Sequence, residues 1–222
     1  MGRFAAVLAA ASLTLAGLSP AGAGALGARR LCSTYRCTTV AHDRSVRIVR
    51  VRSRRAEETE AELGHSVHWA IWRPTGRAWP LRDWAVVQDS DALRKLAVAG
   101  PWVGTAEESC SHETLECAED VKRIDARTGQ VEYDLPGFEE FPARECESVG
   151  TTTRGPQISS LVMVPSGTMA WIVQGRVCEL PQRSQRPVLL SAGPGVAPHS
   201  LLVADGFLVW REGGALRDAV AA

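Results

Sequence analysis

The sequence predicts an all-β chain assembled from repeated antiparallel sheets of about four strands each. Two repeats and one absence predict it. Val67–Leu81 and Val121–Leu135 can be laid on each other: each is a β-rich run, a Thr-Gly turn (Thr75-Gly76 or Thr128-Gly129) and a second short run. Leu161–Trp171 and Leu201–Trp210 form a second pair, in which the Trp lies four residues after the turn glycine, Gly167 or Gly206. No sustained helical stripe interrupts these runs. A hairpin that recurs at this scale marks a structural unit that buries its apolar face only by stacking on neighbours.

The first element is an address. Met1-Gly2-Arg3 is a basic lead, Phe4 to Leu18 is an apolar run rich in Ala and Leu, and Ala21-Gly22-Ala23-Gly24-Ala25 offers small-residue cleavage sites. This is the three-part pattern of a secretory signal peptide, and the apolar run is shorter than the roughly eighteen residues expected of a membrane span. Residues 1–25 are therefore expected to be a removed leader, and residues 26–222 a single domain with no further span. Just under 200 residues remain, enough for a sizeable core. Loss of Arg3 shifts the balance of 25 basic and 25 acidic residues by one unit to the negative side. Near-neutrality gives no overall pull toward nucleic acid or an anionic membrane. Lys95 and Lys122 are the only lysines and asparagine is absent. Both residues have AT-rich codons, so the composition points to a GC-rich bacterial genome, and it leaves no acceptor for N-linked glycans.

From Arg36 onward the chain reads as strands. Val49 and Val51 alternate with Arg50, Arg52 and Arg54, a period-two pattern with one wet face. The Val67–Leu81 hairpin follows, and Asp91 to Leu96 has room for one helical turn. Leu96–Gly104 is a third copy of strand, turn and strand, with Gly100 at the turn and Gly104 where the other copies carry Trp. Glu107 to Asp120 reads as a long acidic loop, Pro136 to Pro156 as an irregular segment, and Ile158 to Val173 as the clearest hairpin. Val177–Leu180 and Pro187–Leu190 supply outer strands, and Ala215–Val220 closes the last hairpin. The units expected are Arg36–Leu81, Leu93–Leu135, Ile158–Ser191 and a partial unit from Pro198 onward. The layout also predicts that the last unit shares a sheet with the N-terminal segment, so that truncation at Pro194 gives an insoluble chain.

Six cysteines behind a leader read as disulfides. Short intervening segments pair Cys32 with Cys37 and Cys110 with Cys117, which leaves Cys146 for Cys178. Zinc is the rival at Cys110, His112 and Cys117, but that spacing fits no common zinc motif.

The Leu-x-x-x-x-Gly-x-x-x-Trp hairpins and the Asp125-Ala126-Arg127-Thr128-Gly129 turn resemble blades of secreted bacterial β-propellers of the YVTN or TolB-like kind. The stretch from Gly193 through Trp210 to Gly214 is similar to the C-terminal end of actinobacterial proteins with such blades. The resemblance implies a small or partial, disulfide-stapled β-propeller of about four blades. Most closed propellers of this kind carry more blades, so a propeller fragment and an open β-sandwich of the same hairpins are the other arrangements. A propeller brings no activity with it, because the fold hosts enzymes, binding modules and scaffolds alike.

Chemistry-bearing patterns are sparse. His65 and His68 are three apart and fall on opposite faces of a strand. Gly150 to Gly155 has phosphate-loop glycine spacing but is followed by Pro156-Gln157 rather than Lys and Ser or Thr. Ser200, His199 and Asp205 contain the residue types of a triad, but adjacent strand residues face apart. The acidic runs at Glu107–Asp120 and Glu139–Glu147 match no calcium loop, and nothing selects a pair for glycoside hydrolysis. The arginine row Arg44, Arg47, Arg50, Arg52, Arg54 and Arg55 has two readings: the wet face of an edge strand, or a patch for an acidic protein or wall polymer. The expected function is a secreted, non-catalytic β-repeat protein that binds a protein or envelope polymer at a loop face, with no catalytic, cofactor or metal residues and no nucleic-acid partner. A secreted hydrolase or lyase on the same scaffold is the alternative, and it requires convergent titratable groups in one cleft. A structural envelope component is the third reading.

Overall fold

The computed structural model describes residues 26–52, 67–81, 92–110, 117–135, 146 and 158–222. The expected leader, His65, Arg54, Arg55, Trp84, residues 150–155 and the second acidic run lie outside them. Sheet order follows chain order. A two-residue strand β1 (Leu26–Gly27) and a short helix α1 (Ala28–Thr34) precede β2 (Arg36–His42), β3 (Val46–Arg52), β4 (Val67–Trp72) and β5 (Arg77–Pro80), which form the first sheet. The second sheet is β6 (Ala92–Ala99), β7 (Trp102–Cys110), β8 (Cys117–Asp125) and β9 (Gln130–Leu135). The third is β10 (Ile158–Met163), β11 (Met169–Val173), β12 (Arg176–Leu180) and β13 (Val188–Ala192), and the fourth is β14 (Leu202–Ala204), β15 (Phe207–Glu212) and β16 (Ala215–Val220). Every sheet is antiparallel, a meander in each case except that β1 adds to the first sheet beside β5. The first strands of successive sheets face one another, β2 by β6, β6 by β10 and β10 by β14, as blades do around a propeller axis.

The turn glycines sit where the repeats place them. Gly76, Gly129, Gly100, Gly167 and Gly206 all have left-handed φ, a conformation that glycine adopts without steric cost. At Gly129 the need is double, because a Cβ there would lie 2.5 Å from the Trp79 ring of the first sheet.

Four apolar clusters lie between successive layers. Leu31 of α1 packs with Val49, Val51, Trp69 and Ile71 on one face of the first sheet. Val46, Ile48 and Ala70 on its other face meet Val103 and Ile124 of the second sheet. Ala106, Val121 and Tyr133 meet Met163, Met169 and Trp171 of the third. Ala170, Ile172 and Val177 then meet Leu201, Leu208 and Trp210 of the fourth. The layers are also tied at their turns: Asp43 accepts hydrogen bonds from Ser45 N and Val46 N at 2.7 Å and from Gly100 N of the second sheet at 2.6 Å.

Several expectations are corrected. Residues 28–34, ahead of the first expected strand, form a helix, because Leu31, 1% exposed, covers the open face of the first sheet. Residues 92–99 are strand, not a helical turn. The acidic loop is mostly a long hairpin: Glu107 pairs with Asp120 and Glu108 with Glu119 across β7 and β8, and Glu107 and Glu119 are buried. β3 is an interior strand between β2 and β4, so its arginines do not line a sheet edge. Among the described residues the N-terminal segment and the last unit do not share a sheet: β1 pairs with β5 of the first sheet, and the fourth sheet is built of β14, β15 and β16. Trp171 and Trp210 both face the preceding sheet. Gly104 is not a vacant Trp site, because its strand is turned over and faces the following sheet, where a Cβ would lie 2.9 Å from Met169 Sδ.

Two cysteine pairs staple the fold. Cys32 and Cys37 join α1 to β2, with Cα atoms 5.4 Å apart. Cys146 and Cys178, 5.8 Å apart at Cα, join the segment after the second sheet to the centre of the third. The Cα register makes Cys110 and Cys117 cross-strand partners at the end of the β7–β8 hairpin.

Candidate functional site

The first strands of the sheets carry irregularities that build a cleft. In β6 the register slips between Leu93 and Lys95, and in β10 between Ile158 and Ser160. Arg94 and Ser159 are thus the extra residues of two β-bulges. A bulge re-aims side chains locally, and consecutive residues that a regular strand would turn to opposite faces then share one surface. Arg94 with Lys95, and Ile158 with Ser159, all line one cleft of about 800 Å³. Its remaining wall includes Glu119 of β8, Gln174 in the β11–β12 turn and His199 in the segment before β14.

The groups in the cleft are unequal. Arg94, Gln174 and His199 are exposed and Lys95 is half-buried. Glu119 is 4% exposed and accepts a hydrogen bond from Ile158 N, so its carboxylate helps fasten the second sheet to the third. Gln174 and His199 both have left-handed φ, 50° and 60°. Gln174 precedes Gly175 in a two-residue hairpin turn that demands this conformation. His199 follows Pro198 in a separate turn, whose second central position takes positive φ. Its Nδ1–H donates to the Ser159 carbonyl, which fixes the ring and leaves Nε2 as the outer nitrogen.

The Ser200, His199 and Asp205 constellation is not assembled. Ser200 Oγ donates to Ala197 O at 2.7 Å and accepts from Arg211 N at 3.1 Å, while His199 is engaged with Ser159. Asp205 belongs to the β14–β15 turn. Among the described residues, no group of three or more His, Cys, Asp or Glu side chains is placed to hold a metal, and no helix is long and apolar enough to cross a membrane.

The arginine row divides. Arg44 is exposed in the β2–β3 turn, and Arg47 Nε donates to Thr39 Oγ1 at 2.8 Å. Strand alternation turns Arg47 to the helix-covered face with Val49, and Arg50 and Arg52 to the opposite face with Ile48.

Sequence reasoning missed one clamp altogether. Arg123, 3% exposed, crosses from the second sheet to the third and donates to Gly167 O at 3.1 Å, Pro181 O at 3.0 Å and Ser184 O at 3.2 Å. Its guanidinium also lies 5.8 Å from the Trp102 ring centroid. Burial pushes its pKa below the ordinary value, partly opposed by Glu132 and Tyr133. Arg127 approaches the same ring at 5.6 Å and is held by Asp125 at 2.7 Å. The Asp125 hydrogen bond raises the Arg127 pKa against its slight burial. Nearby, burial works to lower the Lys122 pKa, but the carboxylates of Glu107, Asp134 and Asp120 outweigh it and the net shift is upward. Of these groups Arg123 ties the second sheet to the third, while Lys122 and the exposed Arg127 pair within the second sheet.

No family model matches the chain, and no curated protein matches it. Among solved structures it is similar to one described in a study of two prolyl endopeptidases and the role of inter-domain dynamics in their catalysis and specificity. The identity is 12% and the TM-score 0.37, over 83% of this chain and 33% of that one. The chain thus spans about a third of the length of the structure it matches.

Proposed function

We propose that this is an exported, non-catalytic β-propeller-like protein, of the secreted bacterial kind that its hairpins resemble, which binds an acidic partner in the cleft between the second and third sheets. The observation that carries the reading is the composition of that cleft. Two bulged strands turn Arg94, Lys95 and Ser159 to one surface beside His199 and Gln174, while the one carboxylate in the lining, Glu119, is buried against Ile158 N. The positive charge of Arg94 and Lys95 in a concave, partly apolar wall attracts an anion. A hydrolase or lyase would use convergent titratable groups free to act on a substrate; of those in the described lining, Glu119 is engaged by Ile158 N and His199 Nδ1 by the Ser159 carbonyl. An acidic envelope polymer or an acidic protein segment is the ligand class that fits. The same reading places the chain outside the cytoplasm after removal of residues 1–25, as two stapled cysteine pairs favour. It also assigns a third bridge to the cross-strand partners Cys110 and Cys117. Arg44 and Arg52, both exposed on the first sheet, are assigned a secondary part in attracting the partner.

The test is calorimetric titration with a polyuronate and with poly-glutamate. Arg94→Glu with Lys95→Glu should weaken binding about tenfold or more, equivalent to about 1.4 kcal/mol. Arg44→Glu with Arg52→Glu should change mainly the salt dependence. Absence of binding to either polymer, or equal binding by the cleft variant, would sink the proposal.

A further inference from the structure

The stack of sheets is finished at one end and unfinished at the other. At the N-terminal end α1 covers the outer face of the first sheet, with Leu31 buried and Cys32 bridged to Cys37. Each face of the second and third sheets is covered by a neighbouring sheet. The fourth sheet buries Leu208 and Trp210 against the third, and among the described residues its other face has no such cover. The register puts Leu202, Val209 and Asp218 in one row of that outer face, Ala204, Phe207 and Val220 in the next, and Arg211 with Leu216 in another. Leu202 is 49% exposed, Phe207 40%, Leu216 64% and Val220 69%, four of the seven large hydrophobic residues exposed among the described ones. A terminal repeat ordinarily carries a polar outer face, because an apolar one recruits a partner.

We propose that this face docks on the same face of a second copy of the chain, giving a two-fold, tail-to-tail dimer. Two observations choose that occupant. First, the face carries its own complementary charges, Arg211 and Asp218, which make no ion pair within the chain among the described residues. A two-fold axis sets Arg211 of each copy against Asp218 of the other, the reciprocal pairing of an isologous interface. Second, the opposite end of the stack is already capped by α1, so a head-to-tail contact that would propagate into a filament has no complementary surface. The face measures at most ~14 by ~20 Å, two strands of six residues and one of three. That is less than the ~800 Å² per partner of a standard interface, so the dimer is a reversible one with a dissociation constant in the micromolar range.

Sedimentation velocity of the full chain across a micromolar concentration series tests this. The wild type should pass from monomer to dimer. Leu216→Lys with Val220→Lys, at two well-exposed positions where surface substitution is normally tolerated, should remain monomeric while keeping the wild-type unfolding midpoint. Asp218→Arg should weaken association at least tenfold, and Arg211→Asp together with Asp218→Arg should restore it. A wild type that stays monomeric, a dimer that survives the two lysines, or a charge exchange that fails to restore association would each overturn the proposal.

Discussion

Arg123 shows how much a single residue decides between neighbouring sheets. Its charge is buried with no carboxylate in contact among the described residues and is met by three carbonyl dipoles and the Trp102 ring. Removing it leaves those oxygens without donors, each worth roughly 1–3 kcal/mol when buried. Arg123→Ala is expected to lower stability by about 3 kcal/mol or more. Arg123→Lys should lose nearly as much, since an ammonium lacks the planar fork that reaches three separate acceptors. Urea unfolding of the two variants checks this, and a lysine variant as stable as wild type would remove the geometric argument. Lys122 gives a pH signature. It bonds Glu107 at 3.3 Å, and its pKa lies above the ordinary 10.5. A group raised in the folded state contributes stability that is fully present below its unfolded pKa and is lost as pH rises through the folded one. Stability should therefore fall above pH 10.5 in the wild type, and Lys122→Gln should reduce that fall. Unfolding midpoints of both proteins from neutral pH upward provide the comparison.

At the scale of elements, what was legible follows from distance along the chain. The hairpins were readable because a turn glycine and its flanking runs are local. The unit boundaries expected from them nearly coincide with the four sheets. The bulges at Arg94 and Ser159 were not readable, because a one-residue register slip is settled by the partner strand and leaves the alternation of either strand ambiguous. Helix α1 was missed because seven residues give too short a pattern, and its reason for forming is tertiary: the open face of the first sheet needs a cover. The buried Glu107 and Glu119 were read as loop because charged residues on a buried strand look like solvated ones until Lys122 and Ile158 N are placed beside them. The two stapled pairs should differ in weight. The Cys146–Cys178 loop spans 32 positions and the Cys32–Cys37 loop 5. By loop-closure entropy these are worth about 3.7 and about 2 kcal/mol. Cys146→Ser should thus cost about 1.5 kcal/mol or more beyond Cys37→Ser. Its measured midpoint in denaturant would contradict this if it equalled that of Cys37→Ser.

For the whole molecule, the arrangement of layers replaces the expectation that the two ends complete one sheet. In a ring joined that way, loss of the last unit removes partners from both neighbours and the fold collapses. Here the layers run α1, first, second, third and fourth sheet, with each apolar cluster confined to one junction. Stability in such a stack is close to a sum of unit and nearest-neighbour terms. Truncation after Pro194 removes Leu201, Leu208 and Trp210 from one junction and also the Ala222 contacts to Thr168, Glu179 and Gln182 of the third unit. The other three junctions are untouched. Buried side chains of this size contribute roughly 1.5–3 kcal/mol each, so the loss is large but falls on the third sheet alone. The expected product keeps the first three sheets, with slow amide exchange in β3, β4, β7 and β8 and a lower unfolding midpoint. It self-associates through the uncovered Ala170, Ile172 and Val177. Hydrogen exchange on the truncated chain, resolved by strand, checks this reading. Fast exchange throughout β3 and β4, which lie far from the cut, would mean that the layers stand or fall together and that the additive picture is wrong.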